Sequence, residues 1–424
     1  MNRQNNSLLL VIALLYIFSF SACKSDPNVA KEETKEKIET KIVRSRLRAE
    51  PNKINPILTT KSQDLQVCDQ VFLTLLNFNP ETYELSPVLA KSRPEKKLLT
   101  EGPYKGGVAY TYEILDEAVW DNGTPVLASD YLFSIKALFN PLMVEANAYQ
   151  GVLKSIQEIQ IDTENPKRFT VYLDQVFRSE YTSGFYVYPE YAYDPDGLMK
   201  SFDLKELKDE SKIKNLKENK AIKEFAEFFS KQGTPGTIIE SCGAYKVVEW
   251  ETGQRLILEK KKDWWGNQVA DKNLLLRNYP EEIIFKAIPD DMATVTAMKD
   301  GQIDVASRIN ASMFLDFKKS EAGKKFNFLT PEFPFFSFMG LNTKKPHLSD
   351  KRVRRAIAHL TDVDEIIETV QKGMALRYAV PFPSNADYTD RSLKPIPFDI
   401  EKAKALLTEA GWEESEADGI RDKV

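Results

Sequence analysis

The sequence predicts an α/β protein, on three observations. Glu282–Ile288 reads as a strand, Asp290–Gly301 as a helix and Ile303–Ala306 as a short strand, an order that packs helices on a sheet. Arg168–Leu173 alternates apolar and polar residues with the period of two that a half-buried strand requires. Ser349–Gly373 carries two amphipathic helices in succession, each with its own start signal.

The elements follow in order. Arg3 precedes a continuous apolar run, Leu8–Phe18, which is too short to span a bilayer comfortably and has the form of a targeting segment. Phe20-Ser21-Ala22-Cys23 comes next, with small residues ahead of the cysteine. Residues 24–41 are mostly Lys, Glu and Thr; with so little apolar content they read as a solvated tether. Residues 42–80 read as a strand, an extended segment and an amphipathic helix with Leu65, Cys68, Phe72, Leu75 and Leu76 on its apolar side. Asp121-Asn122-Gly123 is a tight-turn signal. After it, Ser129 or a neighbour caps a helix carrying Leu132, Ile135 and Phe139.

Residues 200–232 are dense in charge, yet Ile222, Phe225, Phe228 and Phe229 recur at helical spacing, as in a helix with one solvated face. Tyr245–Trp250 and Gln254–Glu259 form a hairpin around Glu251-Thr252-Gly253. A strand from Phe338 and a turn at Asn342 lead into the helical pair. Ser349 or Asp350 caps the first helix, whose apolar positions are Val353, Ala356, Ile357 and Leu360. Asp362 caps the second, with Glu365 three residues on in a capping-box pattern. Val363, Ile366, Ile367 and Val370 form its stripe, and Gly373 stands where a terminating glycine belongs.

With 424 residues and 42% apolar content the chain has material for two or three domains. A net charge of −5 argues against a nucleic-acid binder, which needs concentrated positive charge. An enzyme is not expected. The two histidines, His347 and His359, are read as loop and helix-surface residues, and no P-loop, nucleophile elbow or spaced metal motif occurs. Asp121, Asp130, Asp300 and Asp304 bracket turns and element ends, which explains them without acid–base chemistry. After Cys23 only Cys68 and Cys242 remain. They are read as two buried thiols, with a disulfide between them as the alternative in an oxidising compartment.

The blocks occur in a distinctive order. They include Glu50-Pro51-Asn52-Lys53-Ile54-Asn55-Pro56, Tyr110–Leu115, Trp120-Asp121-Asn122-Gly123-Thr124-Pro125 with Ala128-Ser129-Asp130, and Gly243-Ala244-Tyr245-Lys246. Trp264-Trp265-Gly266, Asp300-Gly301-Gln302-Ile303-Asp304, Phe338–Asn342 with Ser349–Asp362, and Glu401–Trp412 complete the series. This order resembles the extracytoplasmic solute-binding proteins of peptide and oligopeptide ABC transporters, family 5. Phe20-Ser21-Ala22-Cys23 resembles a lipobox, although Phe20 replaces the usual aliphatic residue. Ser241, Cys242 and Ala244 depart from the family's usual Gly-Thr and Pro at those positions.

The resemblance implies a periplasmic binding protein type II-like fold: two α/β lobes with an extra domain inserted in the first. Residues 1–22 would be a lipoprotein signal peptide and 23–41 a tether. Residues 42–80 and 185–288 would form lobe I, 81–184 the inserted subdomain and 289–424 lobe II, with the crossing near Ala287–Asp290. Family members normally continue for on the order of 100 residues more, about a domain's worth, so the second lobe is expected to be incomplete, as in a fragment or a frameshifted product.

The implied function is a substrate-binding protein of an ABC importer, holding a peptide in the interlobe cleft and docking on membrane permease subunits. Cys23 would carry the lipid that anchors the chain at the bacterial cell envelope. A monomer is expected, and no cofactor or metal. A peptide is held as an added strand, with Ala49, Glu50, Pro51 and Asn52 on one side and Phe338, Gly340 and Asn342 across the cleft. Each segment has a purely structural reading as well. The same fold binding a nickel complex or an oligosaccharide, and a surface lipoprotein outside transport, are the alternatives. Trp264 and Trp265 are read as lobe packing or pocket lining, and Arg354 as the partner of a neighbouring carboxylate or as a carboxylate clamp.

Overall fold

A computed structural model describes residues 41–82, 84–177, 180–331, 336–381, 389–414 and 420–423. The leader, Cys23 and nearly all of the tether lie outside them. The chain opens with β1 (Ile42–Leu47), whose last three residues are buried, and continues to α1 (Ser62–Val71). Helix α1 stops at Val71 because Phe72 turns extended. Leu75 and Leu76, expected on that helix, are buried beyond its end. A short antiparallel pair follows, β2 (Leu76–Phe78) and β3 (Leu85–Pro87).

The inserted region is built on β4 (Glu95–Leu98), β5 (Val108–Glu113), α2 (Ala128–Leu138), α3 (Asn147–Leu153), β6 (Ile156–Ile161) and β7 (Arg168–Leu173). Its sheet runs β4-β5-β7-β6, antiparallel throughout. Strand β7 alternates buried and half-buried residues, as its sequence predicts. Helix α2 starts one residue before the expected cap. Its first turn is held not by Ser129 but by Asp130, whose carboxylate accepts the Leu127 N–H at 2.9 Å.

Four helices then cover this core: α4 (Glu190–Tyr193), α5 (Leu204–Lys208), α6 (Ile213–Glu218) and α7 (Lys220–Lys231). Asn219 caps α7 through the Ala221 and Ile222 amides. Ile222, Phe225 and Phe229 are buried while the lysine and glutamate face is solvated, which is the amphipathic pattern read from the sequence. The Phe225 and Phe229 rings stack at 5.3 Å, and Phe229 also meets Tyr188 and Tyr193.

A second four-stranded sheet joins β1 to β8 (Tyr245–Glu251), β9 (Arg255–Lys260) and β10 (Glu282–Ala287). The strand order is β1-β10-β9-β8, with β1 parallel to β10 and the other pairs antiparallel. Gly253 turns the β8–β9 hairpin with a φ of 79°, a conformation only glycine adopts freely. The sheet and the inserted region share one continuous apolar core running from Leu47 to Phe285.

Beyond β10 the chain enters α8 (Asp291–Lys299), capped by Asp290. It then returns to the outer side of β1. The Arg44 carbonyl accepts from the Asp304 and Val305 amides at 2.8 and 3.0 Å, and the Val305 carbonyl accepts from the Arg46 amide at 2.9 Å. The strand expected over Ile303–Ala306 is reduced to one parallel bridge, Ser45–Val305. The Asp304 carboxylate takes the Arg44 N–H at 2.8 Å, which a longer ladder would need. The sheet beside β1 thus continues past the crossing expected at Ala287–Asp290.

A small separate cluster forms where Met298 and Ile303 meet Phe317 of α9 (Ala311–Lys319). The remaining elements are α10 (Pro346–Ser349), α11 (Lys351–Leu360), α12 (Val363–Thr369), α13 (Ile400–Glu409) and the paired dipeptides β11 (Trp412–Glu413) and β12 (Asp422–Lys423). Asp350 caps α11 through the Arg352 amide at 2.8 Å and Asp362 caps α12 through the Glu365 amide at 2.9 Å, as read from the sequence. The apolar stripe of α12 is not buried: Val370 is 61% exposed. The expected strand at Phe338–Asn342 does not form; the run is unpaired and Phe338 is 78% exposed.

Candidate functional site

Ala49–Asn52 follow β1 directly, at its C-terminal end. The chain bends at Arg48–Ala49 and is pinned on either side. Glu50 accepts the Gly253 amide at 2.8 Å, tying the segment to the β8–β9 turn. The Asn52 amide donates to Asp64 at 2.9 Å, and Asp64 also accepts from the Thr59 hydroxyl at 2.6 Å. Pro51 is buried and Asn52 exposed. Between the end of β1 and the Asn52 amide, the backbone groups of Ala49 and Glu50 make no hydrogen bond among the described residues. The segment is therefore fixed in place with its own donors and acceptors open, which suits it to take a chain alongside.

Phe338, Gly340 and Asn342 stand apart from it. No hydrogen bond or ring contact joins the two groups among the described residues. Asn342 closes a local turn, its side chain accepting the Lys344 amide at 3.1 Å and its carbonyl the Lys345 amide at 3.0 Å. Phe338 stacks near Phe336 at 5.5 Å.

A buried charge underlies the junction between β1 and the crossing segment. The Arg46 side chain is wholly buried. It donates to the Ile288 carbonyl at 2.8 Å, the Pro289 carbonyl at 2.9 Å and the Asp291 carboxylate at 2.7 Å. Asp291 also accepts the Asn310 backbone and side-chain N–H groups at 3.0 and 3.1 Å. Burial opposes ionisation of Asp291, but these donors outweigh it and hold the carboxyl below the usual range. Nothing in the sequence pattern marks Arg46, because its partners lie more than 240 positions away.

A cavity lies elsewhere, beside β8. It has a volume of about 690 Å³ and is bounded by Val119–Asp121, Pro235–Glu240, β8 and Trp264–Trp265. Glu50 and Pro51 border only a crevice of about 10 Å³, against Trp250. The walls of the large cavity are firmly built. Both indole N–H groups of Trp264 and Trp265 donate to the Cys242 carbonyl, at 2.8 and 2.9 Å, which orders the Ser241–Tyr245 run. Gly243 is required in that run: its amide donates to the Val71 carbonyl at 3.0 Å, and a Cβ would collide with that oxygen. Asp121 forms an ion pair with Lys261 and accepts the Ser241 amide at 3.1 Å.

Trp264 and Trp265 thus serve packing and line the pocket at once. Cys68 and Cys242 are two buried free thiols, and burial pushes both thiols well up. Among the described residues Arg354 meets no carboxylate; it donates to the Leu348 and Ser349 carbonyls at 2.8 and 2.9 Å, closing the end of α10. Asp130 accepts from the Leu127 amide, the Glu190 amide and the Trp120 indole, a structural role at the head of α2. His359 donates to the Pro397 carbonyl at 2.8 Å. Among the described residues no group of three or more His, Cys, Asp or Glu could hold a metal ion, and no helix is long and apolar enough to cross a membrane.

The mixed sheet beside β1, the inserted antiparallel domain and the helical segment beyond α8 define a binding protein of the two-lobed α/β type. The sequence model of the bacterial extracellular solute-binding proteins, family 5, matches residues 84–424, and the chain belongs to that family. It is 25% identical to the oligopeptide-binding protein AppA of Bacillus subtilis, over 100% of this chain and 70% of AppA. It is likewise 25% identical to the periplasmic oligopeptide-binding protein OppA of Escherichia coli, over 73% of this chain and 53% of OppA. It shares the fold of the oligopeptide-binding protein of Thermus thermophilus solved with a pentapeptide. There the TM-score is 0.65 at 18% identity, covering 91% of this chain and 65% of that one. The chain spans between about half and seven tenths of the length of these proteins.

Proposed function

We propose that this chain is the substrate-binding protein of an ABC importer, holding a peptide between two lobes and presenting it to membrane permease subunits. The observation that carries the reading is the Ala49–Glu50 backbone, open in its own donors and acceptors, beyond the end of β1 and held by the Glu50 side chain and the Asn52 amide. A peptide laid along it gains main-chain hydrogen bonds without any demand on its side chains, which suits a receptor for varied sequences. Phe338, Gly340 and Asn342 would meet the peptide from the opposite lobe. Lobe closure would follow from the ligand contacting both faces. Cys23, acylated after removal of the leader, would tether the receptor to the envelope.

Calorimetry of the chain with a peptide pool, nickel chelates and oligosaccharides tests this reading. Peptide heat is expected, weakened about tenfold or more by Ala49→Pro, which deletes one backbone donor, with an unchanged thermal midpoint. Binding of a chelate or a sugar alone would replace the peptide reading. Mass spectrometry of Cys23 from envelope fractions is expected to show the acyl mass, and Cys23→Ala to release the protein from the membrane.

A further inference from the structure

We propose that the outer edge of β8 accepts an extended basic peptide as an added strand, in a groove distinct from the Ala49–Asn52 segment. Strand β8 is the last in its sheet, paired with β9 on one side only. Among the described residues no backbone hydrogen bond reaches Lys246–Trp250 from the outer side. The pairing with β9 slips between Val247 and Glu249, and Val248 at the slip is 48% exposed.

The other edges differ. The outer side of β1 is taken by Asp304 and Val305. Strand β4 carries Glu95, Lys96 and Lys97 into open solvent, the usual protection of an edge. The Lys246–Trp250 run of β8 lines a cavity of about 690 Å³, a size in the range that small ligands occupy. Pro235–Glu240 and Trp264 line the same cavity. At the strand rise of ~3.3 Å, the Lys246–Trp250 edge matches a run of about five residues.

The charges select the occupant. Lys261 is neutralised by Asp121, Lys246 by Glu259 at 3.3 Å, and Glu249 by Arg255 at 2.5 Å. Among the described residues that leaves Glu240, whose carboxylate accepts the Tyr191 hydroxyl at 3.1 Å, and Asp263, which has no partner there. A lysine or arginine on the added strand would supply the missing positive charge, so an alternating Lys/Val peptide fits and its Glu/Val counterpart does not.

The test uses the 424-residue chain and the hexapeptide acetyl-Val-Lys-Val-Lys-Val-Thr-amide. Amide hydrogen exchange is expected to slow at residues 246–250 when the peptide is added. Val248→Pro, a substitution that edges and bulges tolerate, should weaken binding about tenfold or more. Glu240→Lys should weaken the lysine peptide and leave an alternating Ser/Val peptide unaffected. Protection confined to residues 49–52 or 338–342 would overturn the β8 proposal while supporting the interlobe reading. Absence of protection at β8, with or without measurable heat, overturns it equally. Protection of β8 without peptide, in a sample that sediments as a dimer, would assign the edge to a second copy and sink the peptide proposal. If Val248→Pro fails to fold, the exchange result on the unaltered chain decides.

Discussion

Residues 41–306 and residues 336–423 are built from equally well-signalled elements, yet they are held in different ways. In the first region, strands and helices of distant sequence share one continuous core, and Phe225, Phe229, Tyr188 and Tyr193 interlock in it. In the second, α11 and α13 pack on each other through Val353, Ala356 and Ala403, while Leu360, Val370 and Leu376 stay largely exposed. The difference teaches that capping and periodicity make a helix, whereas burial needs a second surface supplied from elsewhere.

The largest expected effect breaks the first region's core. Phe229→Ala should cost about 3–5 kcal/mol in urea unfolding, because the ring is fully buried among three other aromatics. A loss under 1 kcal/mol would show that this core is looser than its packing implies. Next, Asp291→Ala should cost about 3 kcal/mol by leaving the buried Arg46 guanidinium without its counter-ion. It stays near the lower end of the range for broken buried pairs because two carbonyls still accept from Arg46.

The same pair predicts a pH dependence. The Asp291 carboxyl is held below its ordinary value in the folded state, so its stabilising contribution is present above the unfolded value of about 3.9 and disappears as pH falls through the lower folded value. Asp291→Asn should flatten that part of the acid limb relative to the unaltered chain. An unchanged slope would mean that the pair is not coupled to folding.

Capping sharpens the comparison further. Asn219→Ala removes the acceptor of two amides at the head of a buried helix and should cost about 1 kcal/mol. Asp362→Ala acts on an exposed helix, and its effect should be local, read as faster amide exchange across Val363–Thr369 with little change in the global midpoint. The smallest effect is Leu360→Ala. At 47% exposure it should shift stability by no more than about 0.5 kcal/mol. A loss of 2 kcal/mol or more would mean that α11 is buried in solution and would erase the contrast between the two regions.

Much of the fold was legible because its signals are local. The Asp350 and Asp362 caps, the Gly253 turn, β7 and the buried stripe of α7 depend on residues within a few positions of each other. The failures came where a distant group intervened. At α2 the cap expected from Ser129 or a neighbour is supplied by the neighbour, Asp130, whose carboxylate also answers the distant Glu190 amide. The Ile303–Ala306 strand was cut to one bridge by the Asp304 side chain. The Phe338 strand has the right composition and no neighbouring strand to pair with among the described residues. The cavity beside β8 joins segments more than 100 positions apart, and only Asp121, Trp264 and Trp265 had drawn notice as candidates.

By itself the sequence determined many of the helices and strands, such as α7, α11, β7 and the β8–β9 hairpin, and the family to which their order belongs, since periodicity, caps and turns are read within a few residues. Only the tertiary structure decided which edges remain open, where Arg46 is sealed and where a cavity forms. Those depend on surfaces brought together across hundreds of residues, and no local pattern encodes the approach of two such surfaces.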